Sequence, residues 1–195
     1  MVALMHKNLL TKKFFDDNPI KELTVQRFVY TQIDIPIIRE IVSEYVRKNY
    51  NIGQEERKRL LNENRPDVLI KMLKEKSQIN NYDILYKKIL ENEDVIIPMI
   101  LEIFKRSLNS LFIENTVKIL AKTKKNYAKD LLKILDEIRS PYAISLACIT
   151  LGFIADEEAI PVLMEKFEYL KKFYMEENYE QGPLLGLIKL HERFY

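Results

Sequence analysis

Apolar residues recur along this chain at helical spacing, and the helical stretches themselves recur. Ile160, Leu163, Met164, Phe167 and Leu170 form one stripe of an amphipathic helix. Ile97, Ile100, Leu101, Phe104 and Leu108 form a similar stripe upstream. The parent segments share a heading proline: PIIREIVSEY from Pro36, PDVLIKMLKE from Pro66, PMILEIFKRS from Pro98 and PVLMEKFEYL from Pro161. The gaps between these prolines are 30, 32 and 63 residues, and DLLKILDEIR from Asp130 fills the midpoint of the longest without its own proline. Five segments therefore recur every 30–32 residues.

A second amphipathic stretch lies between them. Tyr82, Leu85, Tyr86, Ile89 and Leu90 share one stripe of 79–92. Ile113, Val117, Leu120 and Ala121 share one in 110–123, and Ile144, Cys148, Leu151 and Gly152 one in 141–155. Successive stretches register at an offset of 31, and 178–195 echoes them once more, with Leu185-Gly186 matching Leu151-Gly152 at an offset of 34. The unit is helix, turn, helix, turn. One such unit cannot bury both faces of its helices, whereas stacked units share a continuous core.

The pattern predicts an all-α fold, a right-handed α-solenoid of about five helix pairs forming one domain over 1–195. Units begin near residues 34, 64, 94, 127 and 156. Residues 1–33 are expected to add an N-terminal helical cap, with Phe14, Phe15, Leu23, Val25, Phe28 and Val29 covering the first pair. In ITLGFIADEEAIPVLMEKF (149–167) the reading is local. Gly152 marks a close helix–helix approach, and Asp156 caps the next helix with its side chain. Glu157 and Glu158 favour the positive end of the helix dipole. Pro161, about one turn in, bends the helix start, and the same bend in every unit curves the stack.

The segment SLACITLGFIADEEAIPVLMEKF (145–167) resembles the short HEAT repeat of bacterial proteins. Leu151, Gly152, Ile154, Asp156, Ala159, Ile160, Pro161 and Leu163 match that pattern; the units at 66 and 98 match less closely, and those at 36 and 130 are degenerate. The resemblance implies a solenoid with first helices on the convex side and second helices on the concave side. Family members mostly bind proteins, peptides or nucleic acid. Tetratricopeptide repeats fit less well, since the chain has no Trp, and the ankyrin Thr-Pro-Leu-His is absent.

Composition narrows the picture. Only 4 Gly and 7 Pro punctuate 195 residues, too few turn signals for an all-β fold. A net charge of +2 selects no partner, although 1–139 carries 26 Lys+Arg against 20 Asp+Glu and 140–195 carries 5 against 9. The single Cys148 leaves no internal disulfide or multi-thiolate metal site, and a reducing, cytoplasmic setting is expected. No apolar run approaches the ~18 residues of a membrane span.

Candidate chemistry is sparse. Some HEAT-repeat oxygenases bind two irons through several His-Glu pairs, but here His191-Glu192 is the one such pair and His6 the only other histidine. Cys148 lies on an apolar stripe with no histidine in local helical reach, so it reads as core. KTKKNYAK (122–129) gathers Lys122, Lys124, Lys125 and Lys129 around Tyr127; the group suits a phosphate backbone or, more plainly, a solvated turn. No phosphate loop, dinucleotide turn, zinc spacing or catalytic triad occurs, so no catalytic, cofactor or metal residue is assigned and an enzyme is not the favoured reading.

The repeat register sets Asp83, Glu114, Ser145 and Tyr179 in one solvent-facing column of the second helices, and Lys87, Lys118, Ile149 and Pro183 in the next. Mixed charge passing to apolar groups suits a protein or peptide on the concave face. The expected function is a non-catalytic scaffold, with Asp83, Lys87, Glu114, Lys118, Ser145, Ile149 and Tyr179 touching the partner. The alternative is a nucleic-acid-binding solenoid resembling the HEAT-like alkylpurine DNA glycosylases, ranked lower because the columns are not uniformly basic. Tyr169, Phe173, Tyr174, Tyr179, Phe194 and Tyr195 enrich the C-terminal end, as a cap on the stack or a homodimer contact.

Overall fold

The computed structural model describes residues 36–77 and 79–194; the expected cap over 1–33 lies outside them. Among the described residues the fold is all-α, with nine α-helices and no strand. The chain divides into two compact units, Met1–Lys58 and Arg59–Tyr195.

In the first unit the described residues belong to helix α1 (Pro36–Asn62), whose last four residues fall in the second unit. The expected helix pair from residue 34 is thus one continuous helix of 27 residues. Gly53 is its one internal breaker, and a lone glycine costs a helix only about 1 kcal/mol. Neither a proline nor a cap follows it to make a turn.

The second unit holds four helix pairs: α2 (Pro66–Met72) with α3 (Ile79–Glu91), α4 (Glu93–Phe104) with α5 (Ser110–Leu120), α6 (Ala128–Ile134) with α7 (Pro141–Ile154), and α8 (Ile160–Phe173) with α9 (Gln181–Phe194). The expected starts near 64, 94, 127 and 156 fall beside these pairs. The helices of each pair pack on one another. Between pairs, α2 packs on α4, α3 on α4, α5 on α7, and α7 on both α8 and α9.

Local chemistry sets the helix starts. Asn109 caps α5 by accepting the Phe112 N–H at 2.7 Å, and Ser140 caps α7 by accepting the Ala143 N–H. Before α2, the Glu63 carboxylate accepts the N–H groups of Asn64 and Arg65 and pairs with the Arg65 guanidinium. Asp156 behaves otherwise than expected. Its backbone is extended and its side chain accepts no capping bond; its carbonyl takes the Ala159 N–H and closes a 3-10 turn, Glu157–Ala159. That turn displaces the start of α8, so Pro161 stands in its opening residues, where no intrahelical bond is lost. Pro66 likewise opens α2 and Pro183 lies in the first turn of α9, whereas Pro98 lies well inside α4. A bend repeated at the proline of every unit is therefore not what these helices show.

The core runs through all four pairs. Leu69, Leu85, Ile100, Phe112, Leu151 and Leu163 are almost wholly buried, each contributing about 1.5–3 kcal/mol by burial. Three stripe residues differ from expectation: Leu108 lies past the end of α4, Ala121 past the end of α5 and Met164 on the outer side of α8, and all are exposed. Helix α7 is buried on most of its circumference, as its run of Ala, Ile, Leu and Cys requires. Its partner α9 approaches at backbone distance. A Cβ on Gly182 would stand 2.2 Å from the Ser145 carbonyl oxygen, and one on Gly152 2.6 Å from the Gly186 Cα. The close approach expected at Gly152 is present.

Polar ties cross from one pair to the next at about one repeat length. The buried Asn115 accepts the Tyr86 hydroxyl at 2.6 Å and donates to the Leu73 carbonyl at 2.8 Å. Buried Glu93 accepts the N–H groups of Lys124 and Lys125 at 3.0 and 2.8 Å. Lys105 pairs with Glu137 at 3.1 Å, and the largely buried Lys166 with Asp136. Burial works against the Lys166 charge, but the Asp136 hydrogen bond and charge, with those of Glu165, hold its ammonium above the usual lysine range.

Candidate functional site: the solvent face of the second helices

Helices α3, α5, α7 and α9 carry the candidates read from the repeat register. Asp83 and Lys87 lie one turn apart on α3 and are exposed. They line a shallow groove of about 380 Å³, walled by Tyr86 and Leu90 from the same helix and by Lys122 and Lys124 from the turn after α5. A larger groove, of about 610 Å³, is lined by Lys74, Ile103, Arg106 and Leu108 and holds none of the candidates.

Glu114 and Lys118 sit one turn apart on α5, their charged groups 3.9 Å apart. Glu114 is half-buried and accepts the Tyr142 hydroxyl of α7 at 3.0 Å. The Tyr142 ring lies 6.1 Å from that of Tyr179, and Tyr179 6.3 Å from Tyr174, which meets Tyr169. A run of aromatic rings thus extends from Glu114 to Tyr169 and Phe173. Tyr179 belongs to the turn before α9 rather than to the helix.

Two column residues are not on the surface. Ser145 and Pro183 are buried, because α9 crosses α7 with Gly182 pressed on the Ser145 backbone and hydroxyl. Ser145 is therefore withdrawn as a contact residue. Ile149 remains half-buried on α7, and Phe153, Leu185 and Ile188 are about half exposed on α7 and α9. The face passes from charged on α3 and α5 to apolar on α7 and α9.

Sequence reasoning missed Tyr142, Tyr86 and Leu90 as parts of this face. Their signal was available: Tyr142 precedes Ser145 by three residues, so it shares that helix face one turn earlier. Burial pushes the Tyr142 phenol up to about 12, helped by its hydrogen bond to Glu114, and burial with the charges of Asp83 and Glu114 and neighbouring Tyr82 does the same for Tyr86. Both stay neutral donors at physiological pH.

The lysine turn is ordered by acids. Glu93 holds two of its N–H groups, Lys125 pairs with Asp94 at 3.3 Å, and Lys122 lies over the Tyr86 ring at 5.4 Å. Tyr127 is buried and offers no open ring for a base. Cys148 is fully buried, which pushes its thiol up to about 12 despite the Lys166 charge, so it does not act as a nucleophile at neutral pH. Among the described residues no three His, Cys, Asp or Glu side chains cluster to hold a metal, and no helix is long and apolar enough to cross a membrane. Of the aromatic C-terminal end, Phe173 and Phe194 are exposed, while Tyr195 lies outside the described residues. No family model, no curated protein and no solved structure matches the chain.

Proposed function

We propose that Arg59–Tyr195 is a right-handed α-solenoid of HEAT-like helix pairs and that the solvent face of α3, α5, α7 and α9 binds a protein or peptide. The solenoid reading is supported by the order of packing, in which each pair meets the next in sequence, and by polar ties spaced about one repeat apart. The binding reading is carried by one observation. The second helices and the turn before α9 offer charges of both signs at Asp83, Lys87 and Lys118, tyrosine rings at Tyr142 and Tyr179, and half-exposed apolar groups at Phe153 and Leu185. Such a mixture matches polypeptide chemistry better than a phosphate backbone, which calls for sustained positive charge. The role is non-catalytic and cytoplasmic, a compartment that suits a lone reduced Cys148.

The test compares proteins captured from source-cell extract by the full chain and by the doubly reversed Asp83→Lys, Lys118→Glu chain. A partner retained by the wild type is expected to be lost by the variant, with the helical circular dichroism of the two chains equal. An unchanged set of partners would remove this face from the binding role. Tight binding of a mixed-sequence DNA oligonucleotide, weakening steeply with salt, would replace the reading with the nucleic-acid alternative.

A further inference from the structure

The groove between α3 and the turn after α5 holds a more specific message, which rests on the polypeptide-binding reading above. Four lysines crowd Lys122–Lys129, but their surroundings differ. Lys125 is drawn to Asp94 and lies near the Tyr127 ring. Lys122 and Lys124 line the groove, and among the described residues neither ammonium has a carboxylate within ion-pair distance. Two cations thus border one small space, and neither is ion-paired with the acids that share it, Asp83 and Glu91.

Their placement is fixed by the fold. The buried Glu93 carboxylate grips the backbone N–H groups of Lys124 and Lys125, and the Lys122 ammonium rests over the Tyr86 ring, which a hydrogen bond to buried Asn115 holds in place. The turn's backbone and the Lys122 side chain are thus already ordered when a ligand arrives, which favours binding. The opposite wall is α3, where Leu90 and Tyr86 supply apolar surface. Lys87 and Glu91 form a loose surface pair at 3.9 Å, and Asp83 stands at the near end as an acceptor.

We infer that this groove takes a partner segment in which a carboxylate side chain, Asp or Glu, adjoins an aliphatic or aromatic one, with the carboxylate between Lys122 and Lys124 and the apolar group on Leu90 and Tyr86. Charge complementarity selects this occupant. A nucleic-acid strand would gain from two lysines, but its regularly spaced phosphates would run on to Asp83, which a single carboxylate seated between the lysines need not reach. A basic segment would gain from Asp83 alone.

The test is selection of a random 12-residue phage-displayed peptide library on the immobilised full chain. Enriched peptides are then synthesised with a fluorophore and measured by anisotropy. The inference expects enrichment of Asp or Glu beside Leu, Ile or Phe. It also expects affinity about tenfold weaker for the Lys122→Glu, Lys124→Glu chain, and recovery when the peptide's acid is replaced by Lys. Both positions are exposed, and unchanged circular dichroism checks that the variant is folded. Peptides without acids, or peptides indifferent to the double reversal but weakened by Asp83→Lys, Lys118→Glu, would overturn the groove assignment and keep the polypeptide-binding reading. Failure to enrich any peptide, with a single-stranded oligonucleotide bound instead, would overturn both.

Discussion

Gly152 of α7 and Gly186 of α9 meet backbone to backbone: a Cβ on Gly152 would stand 2.6 Å from both the Cα and the carbonyl oxygen of Gly186. A Cβ on Gly186 would stand 2.4 Å from the Cys148 carbonyl oxygen. Alanine ordinarily improves a helix over glycine by about 1 kcal/mol. Here the neighbouring atoms are backbone and cannot swing aside, so overpacking of about 1–3 kcal/mol wins. Gly152→Ala and Gly186→Ala are each expected to lower the urea midpoint of the full chain. A raised midpoint for either would mean that α7 and α9 lie farther apart.

Asn115 joins three segments through one side chain, taking the Tyr86 hydroxyl and giving to the Leu73 carbonyl. Asn115→Ala leaves both of those buried groups without a protein partner, at a cost of about 1–3 kcal/mol for each group left unsatisfied. Tyr86→Phe alone costs less, since it removes one bond together with its donor. In a double-mutant cycle the two changes are expected to couple by about 0.5–1.5 kcal/mol. Strict additivity by urea denaturation would show that the bond contributes nothing.

Glu93 pins the turn after α5 with a charged acceptor. Glu93→Gln keeps the size and loses the charge and one acceptor oxygen. Bonds of this kind contribute about 1.5–3 kcal/mol. Amide hydrogen exchange is expected to quicken at Lys124 and Lys125 more than in α7. Equal protection in wild type and variant would show that the turn is held by other means.

Alkaline pH should unfold the second unit in a definite window. Burial first of all raises the Cys148 thiol from 9.0, and the Tyr86 and Tyr142 phenols from 10.0, each to about 12. Each group therefore contributes stability that is complete below its unfolded pKa and is lost as pH rises through the folded one. Stability should fall from about pH 9 toward pH 12. Cys148→Ala and Tyr142→Phe are each expected to flatten that slope in urea titrations at stepped pH. At pH 8 the native thiol should react with Ellman's reagent only as fast as the chain opens. Immediate reaction in native buffer would contradict its burial.

Much of the second unit was legible because the signals were local and repeated. The stripes of 79–92 and 141–155 pointed to buried Leu85, Ile89, Cys148 and Leu151, and the small residue at Gly152 announced a close crossing. What escaped depended on partners distant in sequence. Ser145 looked like a surface position, but α9 lies across it with Gly182 against its backbone. Asp156 had the right chemistry for a cap, but its extended backbone led into a 3-10 turn closed by a carbonyl. Helix α1 stayed whole because periodicity suggested a break that no proline or capping residue enforced. On the candidate face, Asp83 and Lys87 line one groove with the turn after α5, and Tyr142 joins through a bond to Glu114 that column arithmetic does not contain.

The bare backbone of Gly182 and Gly186 also dictates alignment along the chain. Sliding α9 by one turn would bring Leu190 or Asn178 to a position where even a methyl group collides with a carbonyl of α7. A slipped arrangement thus meets hard-core repulsion in addition to its lost packing. The two glycines together therefore select one register of α9 against α7.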